Sequence, residues 1–163
     1  MSDVVTRLAA LMNEHDLAGA AALMHPDYLS EQPVHPGRAF VGRAQMEANW
    51  KAMFDGIPDF HAELLRSVDD GGTTWAEWHW TGTRGDGEPF EVRGISLFDV
   101  QEGLIVAGRL YLEDVDRADA GIEEAVESLS GHRPAGTGRI GARAVQGPVT
   151  PDPGPVGGGP CGR

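Results

Sequence analysis

The sequence predicts an α+β domain, with helices first and an antiparallel sheet after them. Two observations predict it. Apolar residues recur at helical spacing through the first third of the chain, and beyond Pro58 the pattern changes to strand-length runs separated by Gly, Asp and Pro. A third observation bounds the domain: from Gly131 the chain reads "GHRPAGTGRIGARAVQGPVTPDPGPVGGGPCGR", almost half Gly and Pro.

Ser2 and Asp3 are good helix caps, and Val4, Val5, Leu8, Leu11 and Met12 form the apolar stripe of a first helix. "NEHD" interrupts that stripe. Asp16 then caps a short second helix, "LAGAAALM", which His25-Pro26 ends because proline disfavours helix in the residue before it. "DYLSEQ" reads as a short strand leading into the loop "PVHPGRAFVG". From Arg43, "RAQMEANWKAMF" sets Met46, Trp50, Met53 and Phe54 on one face of a third helix, stopped by Gly56 and Pro58.

The meander runs through "FHAELLRSV", the turn "DDGG", the long strand "TTWAEWHWTGT", the turn "RGDGEP", "FEVRGISLFDV", "QEG" and "LIVAGRLYLE". "RGDGE" is a hairpin turn and not a phosphate loop, because no helix follows it. "VDRADAGIEEAVESL" reads as a last helix. The expected domain is therefore residues 1–130. The expected tail, residues 131–163, buries too little apolar surface to offset its ordering entropy, which predicts disorder.

Composition narrows the function classes. The formal charge is −12, and residues 1–130 hold nine Arg plus Lys against 24 Asp plus Glu. Phosphate binding needs concentrated Lys and Arg, so nucleic acid and anionic membrane are disfavoured as partners. No apolar run approaches the roughly 20 residues that span a bilayer, and a cytoplasmic protein is the default expectation. The single cysteine, Cys161, has no internal partner, and nothing resembles a zinc cluster. A metal site from His35, His61, His79 and Glu77 has no short ligand spacing such as His-x-x-x-His to support it. Metal and cofactor are both expected to be absent.

The stretch "WAEWHW", Trp75 to Trp80, raises the sharpest question. Alternation along a strand puts Trp75, Glu77 and His79 on one face, and Ala76, Trp78 and Trp80 on the other. Glu77 and His79 would stand roughly 7 Å apart on that face, close enough for a carboxylate to orient an imidazole. Histidine exchanges protons readily near neutral pH, which suits removal of a proton beside a carbonyl. The pair is therefore a candidate general base with its orienting partner, or else a charged pair that satisfies itself at a core edge.

The marks "W-TGT-G", "G--F-V-G-SLF-V", "EG-I" and a following Arg-x-Tyr, over roughly Asp3 to Val115, resemble the NTF2-like superfamily. More narrowly they resemble its SnoaL-like polyketide cyclase and ketosteroid isomerase-like branch. The resemblance implies a cone-shaped fold, with N-terminal helices packed in a strongly curved antiparallel sheet, a deep and mostly apolar pocket, and a homodimer built on the outer sheet face. It implies cofactor-free acid/base chemistry (isomerisation, dehydration or cyclisation) on a hydrophobic polyketide-, steroid- or terpenoid-like molecule. The alternatives are a limonene-type epoxide hydrolase and a non-catalytic small-ligand binder.

The resemblance also implies site residues. Counting without gaps against the epoxide hydrolase members, their Arg-x-Asp falls on Glu77-Trp78-His79, their second Asp on Leu110, and a tryptophan on Gly108. The paired carboxylates of those hydrolases are thus missing. In that register Glu77 and His79 point into the pocket with Trp75, Thr81, Val92, Ser96, Phe98, Leu110 and Leu112, while Trp78, Trp80, Arg93, Arg109 and Tyr111 face outward. A slip of one residue would exchange the two sets. Tyr28 lies where relatives hold a substrate oxygen, so it is a candidate oxyanion donor. His35 and His61 are candidate lining residues, and Trp50 and Phe54 candidate pocket wall. Ser96 stands where some cyclases are expected to carry a carboxylate.

Overall fold

A computed structural model of the chain describes residues 3–118 and 120–135. The expected disordered tail lies, from residue 136 on, outside the described residues. The chain divides into two compact units at residues 117 and 118.

The first unit opens with α1, Asp3–Asn13, which buries Val4, Val5, Leu8 and Met12. His15, at φ 55°, turns the chain out of α1, and Asp16 caps α2, Leu17–Ala22, by accepting the Gly19 N–H at 2.9 Å. The first strand, β1, runs Met24–Glu31 and so begins earlier than "DYLSEQ" predicts. Its ladder is interrupted between Met24 and Leu29, the stretch holding Pro26, which has no N–H to donate. A 3₁₀ turn at Pro36–Arg38 and the two-residue β2, Phe40–Val41, lead to α3, Arg43–Gly56, which seats Met46 in the core with Trp50, Met53 and Phe54 against it.

Four strands follow: β3, His61–Asp70; β4, Thr73–Thr83; β5, Pro89–Gln101; and β6, Leu104–Asp114. The turns explain the pairing. Gly71 and Gly72 both have positive φ, 57° and 92°, as do Glu102 and Gly103, 51° and 80°. Two such residues in a row make the tight hairpin turn whose twist matches the flanking strands. Asp70 therefore faces Thr73, and Gln101 faces Leu104. The six strands form one sheet in the order β2-β1-β6-β5-β4-β3. The architecture is α+β with a curved, mixed sheet, as predicted in class. It differs in one respect: β1 joins β6 in parallel, so the sheet is not wholly antiparallel.

Asn13, at the end of α1, closes one edge of the sheet. Its side-chain amide donates to the Ala62 carbonyl at 2.9 Å and accepts the Ala62 N–H at 2.6 Å, satisfying β3 where no further strand pairs with it. Asp59 pins the far end of β4 by accepting the Thr83 N–H at 2.7 Å and the Thr83 hydroxyl at 2.9 Å, which holds its carboxyl below the usual range.

The second unit contains α4, Ile122–Ser130, ended by Gly131 in the left-handed conformation at φ 75°. Its Glu123 and Glu127 pair with Arg133 at 3.3 and 2.9 Å.

Candidate functional site

The inner face of the sheet is built on β4, and it is the reverse of the face expected above. Ala76, Trp78 and Trp80 turn inward, with Trp78 1 % and Trp80 9 % exposed, whereas Trp75 is 44 % exposed. The reason is visible in the strand itself. Each indole removes about 150–250 Å² from water when buried, while burying Glu77 and His79 would strand a carboxylate and an imidazole. Turn length enforces the same choice. The hairpin over residues 84–88 pairs Thr83 with Pro89, so even-numbered residues of β4 face even-numbered residues of β5: Ala76 opposite Ser96, Trp78 opposite Gly94, Trp80 opposite Val92. With Ser96 and Phe98 inside, Glu77 and His79 are outside.

The cavity lies between this face and the three helices of the first unit. Leu8 and Met12 of α1, Leu17 and Ala20 of α2, and Met46, Trp50 and Phe54 of α3 form one wall. Met24 and Tyr28 of β1, Trp78 and Trp80 of β4, Ser96 and Phe98 of β5, and Leu110 and Leu112 of β6 form the other. The open volume is about 40 Å³, narrow enough that a ring-sized ligand enters only as side chains yield. Met12, Met24 and Met46 suit that, since an unbranched thioether changes rotamer at little cost.

Polar groups in the lining are few and uncharged. Trp78 Nε1–H donates to Ser96 Oγ at 2.8 Å, with both residues buried. Tyr28 is the only residue of the lining that titrates. Burial pushes its hydroxyl up to about 12, against a smaller opposing pull from the Ser30 hydroxyl bonded to it. The phenol is therefore neutral at physiological pH and available as a donor. Gly108 makes room for it: a Cβ there would stand 2.4 Å from the Tyr28 hydroxyl and 3.0 Å from the Phe98 ring. At the helical wall, Trp50 stacks edge-on against Trp80 at 5.4 Å, and His15 lies flat on Phe54 at 4.4 Å while its Nε2 bonds the Phe60 carbonyl at 3.0 Å.

The structure thus gathers Tyr28, Trp50, Phe54, Ser96, Phe98, Leu110 and Leu112 around one cavity. Val92 is buried on the same sheet face but does not line the cavity. Glu77, His79, Trp75 and Thr81 are corrected to the outer face, for the packing and turn-length reasons given. Of the other two candidate histidines, His35 is half-buried and bonds Glu113 at 2.7 Å, and His61 is exposed on β3 opposite Thr81. Trp78 and Trp80 are the lining residues that the family register hid. The alternation of Ala76, Trp78 and Trp80 against Glu77, His79 and Thr81 was the signal that could have found them.

On the outer face His79 is held by charge. Its Nε2 bonds Glu91 Oε1 at 2.9 Å, Glu63 stands 3.6 Å from Nδ1, and Arg93 approaches the same nitrogen at 3.4 Å. Arg117 also binds Glu91, and with His79 it keeps that carboxyl below its usual range. Glu77 pairs with Arg66 at 3.5 Å beside an open depression floored by Trp75, Val68 and Ile95. Among the described residues no group of three His, Cys, Asp or Glu is placed to hold a metal ion. No described helix is long and apolar enough to cross a membrane.

A curved mixed sheet closed over an apolar cavity by N-terminal helices is the NTF2-like architecture. Residues 5–108 match the model of the SnoaL-like domain, and the chain belongs to that family. Among solved structures it is similar to wild-type IdmH of Streptomyces antibioticus, described as a candidate polyketide cyclase (23 % identity, 69 % of this chain and 90 % of that one, TM-score 0.60). It is also similar to an LEH-like epoxide hydrolase of M. tuberculosis (17 %, 69 % and 81 %, TM-score 0.60). A third is an NTF2-like protein of unknown function from Cytophaga hutchinsonii (12 %, 68 % and 88 %, TM-score 0.53). At these identities the likeness is one of fold, and one fold hosts many reactions. No curated protein matches the sequence significantly.

Proposed function

We propose that the cavity takes up a neutral hydrophobic organic molecule, polyketide-, steroid- or terpenoid-like, and holds its oxygen with Tyr28 rather than with an ionised acid–base pair. The observation that carries this reading is the lining itself: aromatic, aliphatic and thioether side chains with Tyr28 as the one titrating group. Binding is the primary role. Isomerisation by a carboxylate or imidazole base has no such base in the lining, and epoxide opening by paired carboxylates lacks both of them.

A second reading, cyclisation without cofactor, is favoured by Tyr28. A buried neutral phenol stabilises a developing oxyanion by donation, and a cavity that folds a flexible chain into reacting distance supplies the remainder of the effect by orientation. Conversion of a bound polyketide-like compound that disappears in Tyr28→Phe, with binding retained, would separate this reading from the first.

The test is a thermal-shift panel of polycyclic ketones and terpenoid epoxides on the full chain, comparing wild type with Leu110→Trp. Leu110 lines the cavity yet is half-buried, so a larger side chain there fills the space without crowding the deep core. At a ligand concentration 100 times Kd, linkage stabilises the folded state by about 2.7 kcal/mol, a shift of several degrees. The wild type is expected to shift and Leu110→Trp to lose the shift while staying folded. Equal shifts in both proteins would place the ligand elsewhere, and no shift with any compound would remove the reading.

A further inference from the structure

Trp80 lines the cavity and is nine-tenths buried, yet its Nε1–H meets no acceptor among the described residues. Its neighbour Trp78 shows what the fold does with an indole it intends only to pack, since that N–H is closed by Ser96 at 2.8 Å. Burying a donor without a partner is costly, and most native structures avoid it. A phenylalanine at position 80 would keep a ring against Trp50 and Phe60, whose rings lie 5.4 and 5.8 Å away, with no donor left over. The open donor is therefore informative about what the cavity receives.

We infer that the Trp80 indole N–H is a specificity-determining donor, and that it selects a neutral ligand presenting a ring ketone oxygen. This rests on the proposed ligand cavity and names the chemistry of its occupant. The lining has no Lys, Arg or His, so a carboxylate would be buried without a countercharge. Ser96 Oγ already accepts from Trp78, and the Tyr28 hydroxyl is already bonded to Ser30. The cavity is thus richer in donors than in free acceptors. A ketone, which only accepts, matches that balance better than an alcohol, whose own hydrogen would need a partner. The Nε1 atom is itself closed to water, so a ligand oxygen reaches it only as the neighbouring side chains yield.

The experiment uses the full chain with cyclohexanone and its isostere methylenecyclohexane, which replaces C=O by C=CH₂ and accepts nothing. Dissociation constants are read by NMR titration of wild type and Trp80→Phe. Trp80→Phe is expected to weaken cyclohexanone about five- to tenfold and to leave methylenecyclohexane within about twofold. A variant that weakens both equally overturns the donor role and leaves the cavity reading standing. Failure of both compounds to bind the wild type overturns the two together.

Should Trp80→Phe not fold, the wild-type indole N–H signals decide. The sequence has four tryptophans, and Trp80 is assignable through its ring contacts with Trp50 and Phe60. Cyclohexanone is expected to move that signal downfield, and methylenecyclohexane to leave it in place. A signal unmoved by the ketone overturns the inference.

Discussion

Trp78→Ala is expected to lower the unfolding free energy by about 3–5 kcal/mol, the largest loss from any single side chain of the sheet. The indole is 1 % exposed, packs edge-on against Trp80 at 6.3 Å and donates to Ser96 Oγ at 2.8 Å. Truncation removes its transfer free energy, opens a void between sheet and helices that a close-packed interior refills only in part, and leaves Ser96, itself fully buried, without that donor. Trp78→Phe separates the contributions. It keeps most of the packing and loses the hydrogen bond, for an expected cost of about 1–3 kcal/mol. Urea unfolding measures both, and a loss under about 1 kcal/mol for Trp78→Ala would contradict the burial of this residue.

Gly94→Ala has a comparable expected effect for a different reason. A Cβ at position 94 would lie 1.9 Å from the Tyr111 carbonyl oxygen and 2.9 Å from the Leu112 Cα, both backbone atoms of β6, and Gly94 has φ 152°. The neighbour cannot rotate away as a side chain would, so β5 and β6 must part or the strand must bend. Glycine inside a strand marks such close approach. The expected destabilisation is about 3–5 kcal/mol, read as a fall in the urea midpoint with the unfolding slope unchanged. Tolerance of alanine within about 0.5 kcal/mol would contradict the close approach of the two strands.

Local chemistry made much of the fold legible. Asp16 as a cap, Gly71-Gly72 as a hairpin turn and the Met46-Trp50-Phe54 stripe each act over a few residues, and the sequence displays them directly. The parallel entry of β1 beside β6 was not legible in the same way, because partners about 80 positions apart in the chain leave no local pattern. The gap-free register borrowed from distant relatives turned Ser96, Phe98, Leu110 and Leu112 toward the cavity they line. It turned β4 the wrong way, because it overrode the apolar alternation of Ala76, Trp78 and Trp80. A one-residue difference in hairpin length is enough to exchange the faces of a strand. The five-residue turn after Thr83 held the missing parity. The open N–H of Trp80 lay beyond sequence reasoning, since an unpaired donor shows only when every neighbour is placed.

The residues lining the cavity include no carboxylate or imidazole, and His79 stands on the opposite face of the sheet. The affinity of the full chain for the best ligand of the panel, measured from pH 5 to pH 8, tests that placement. Tyr28, raised to about 12, stays protonated across that range, and no other residue of the lining titrates. The affinity is therefore expected to stay constant within about twofold, since an unperturbed imidazole in contact with ligand would change charge near pH 6.5. A roughly tenfold change with a midpoint between pH 6 and 7, abolished in His79→Ala, would put that imidazole in the cavity and contradict the account.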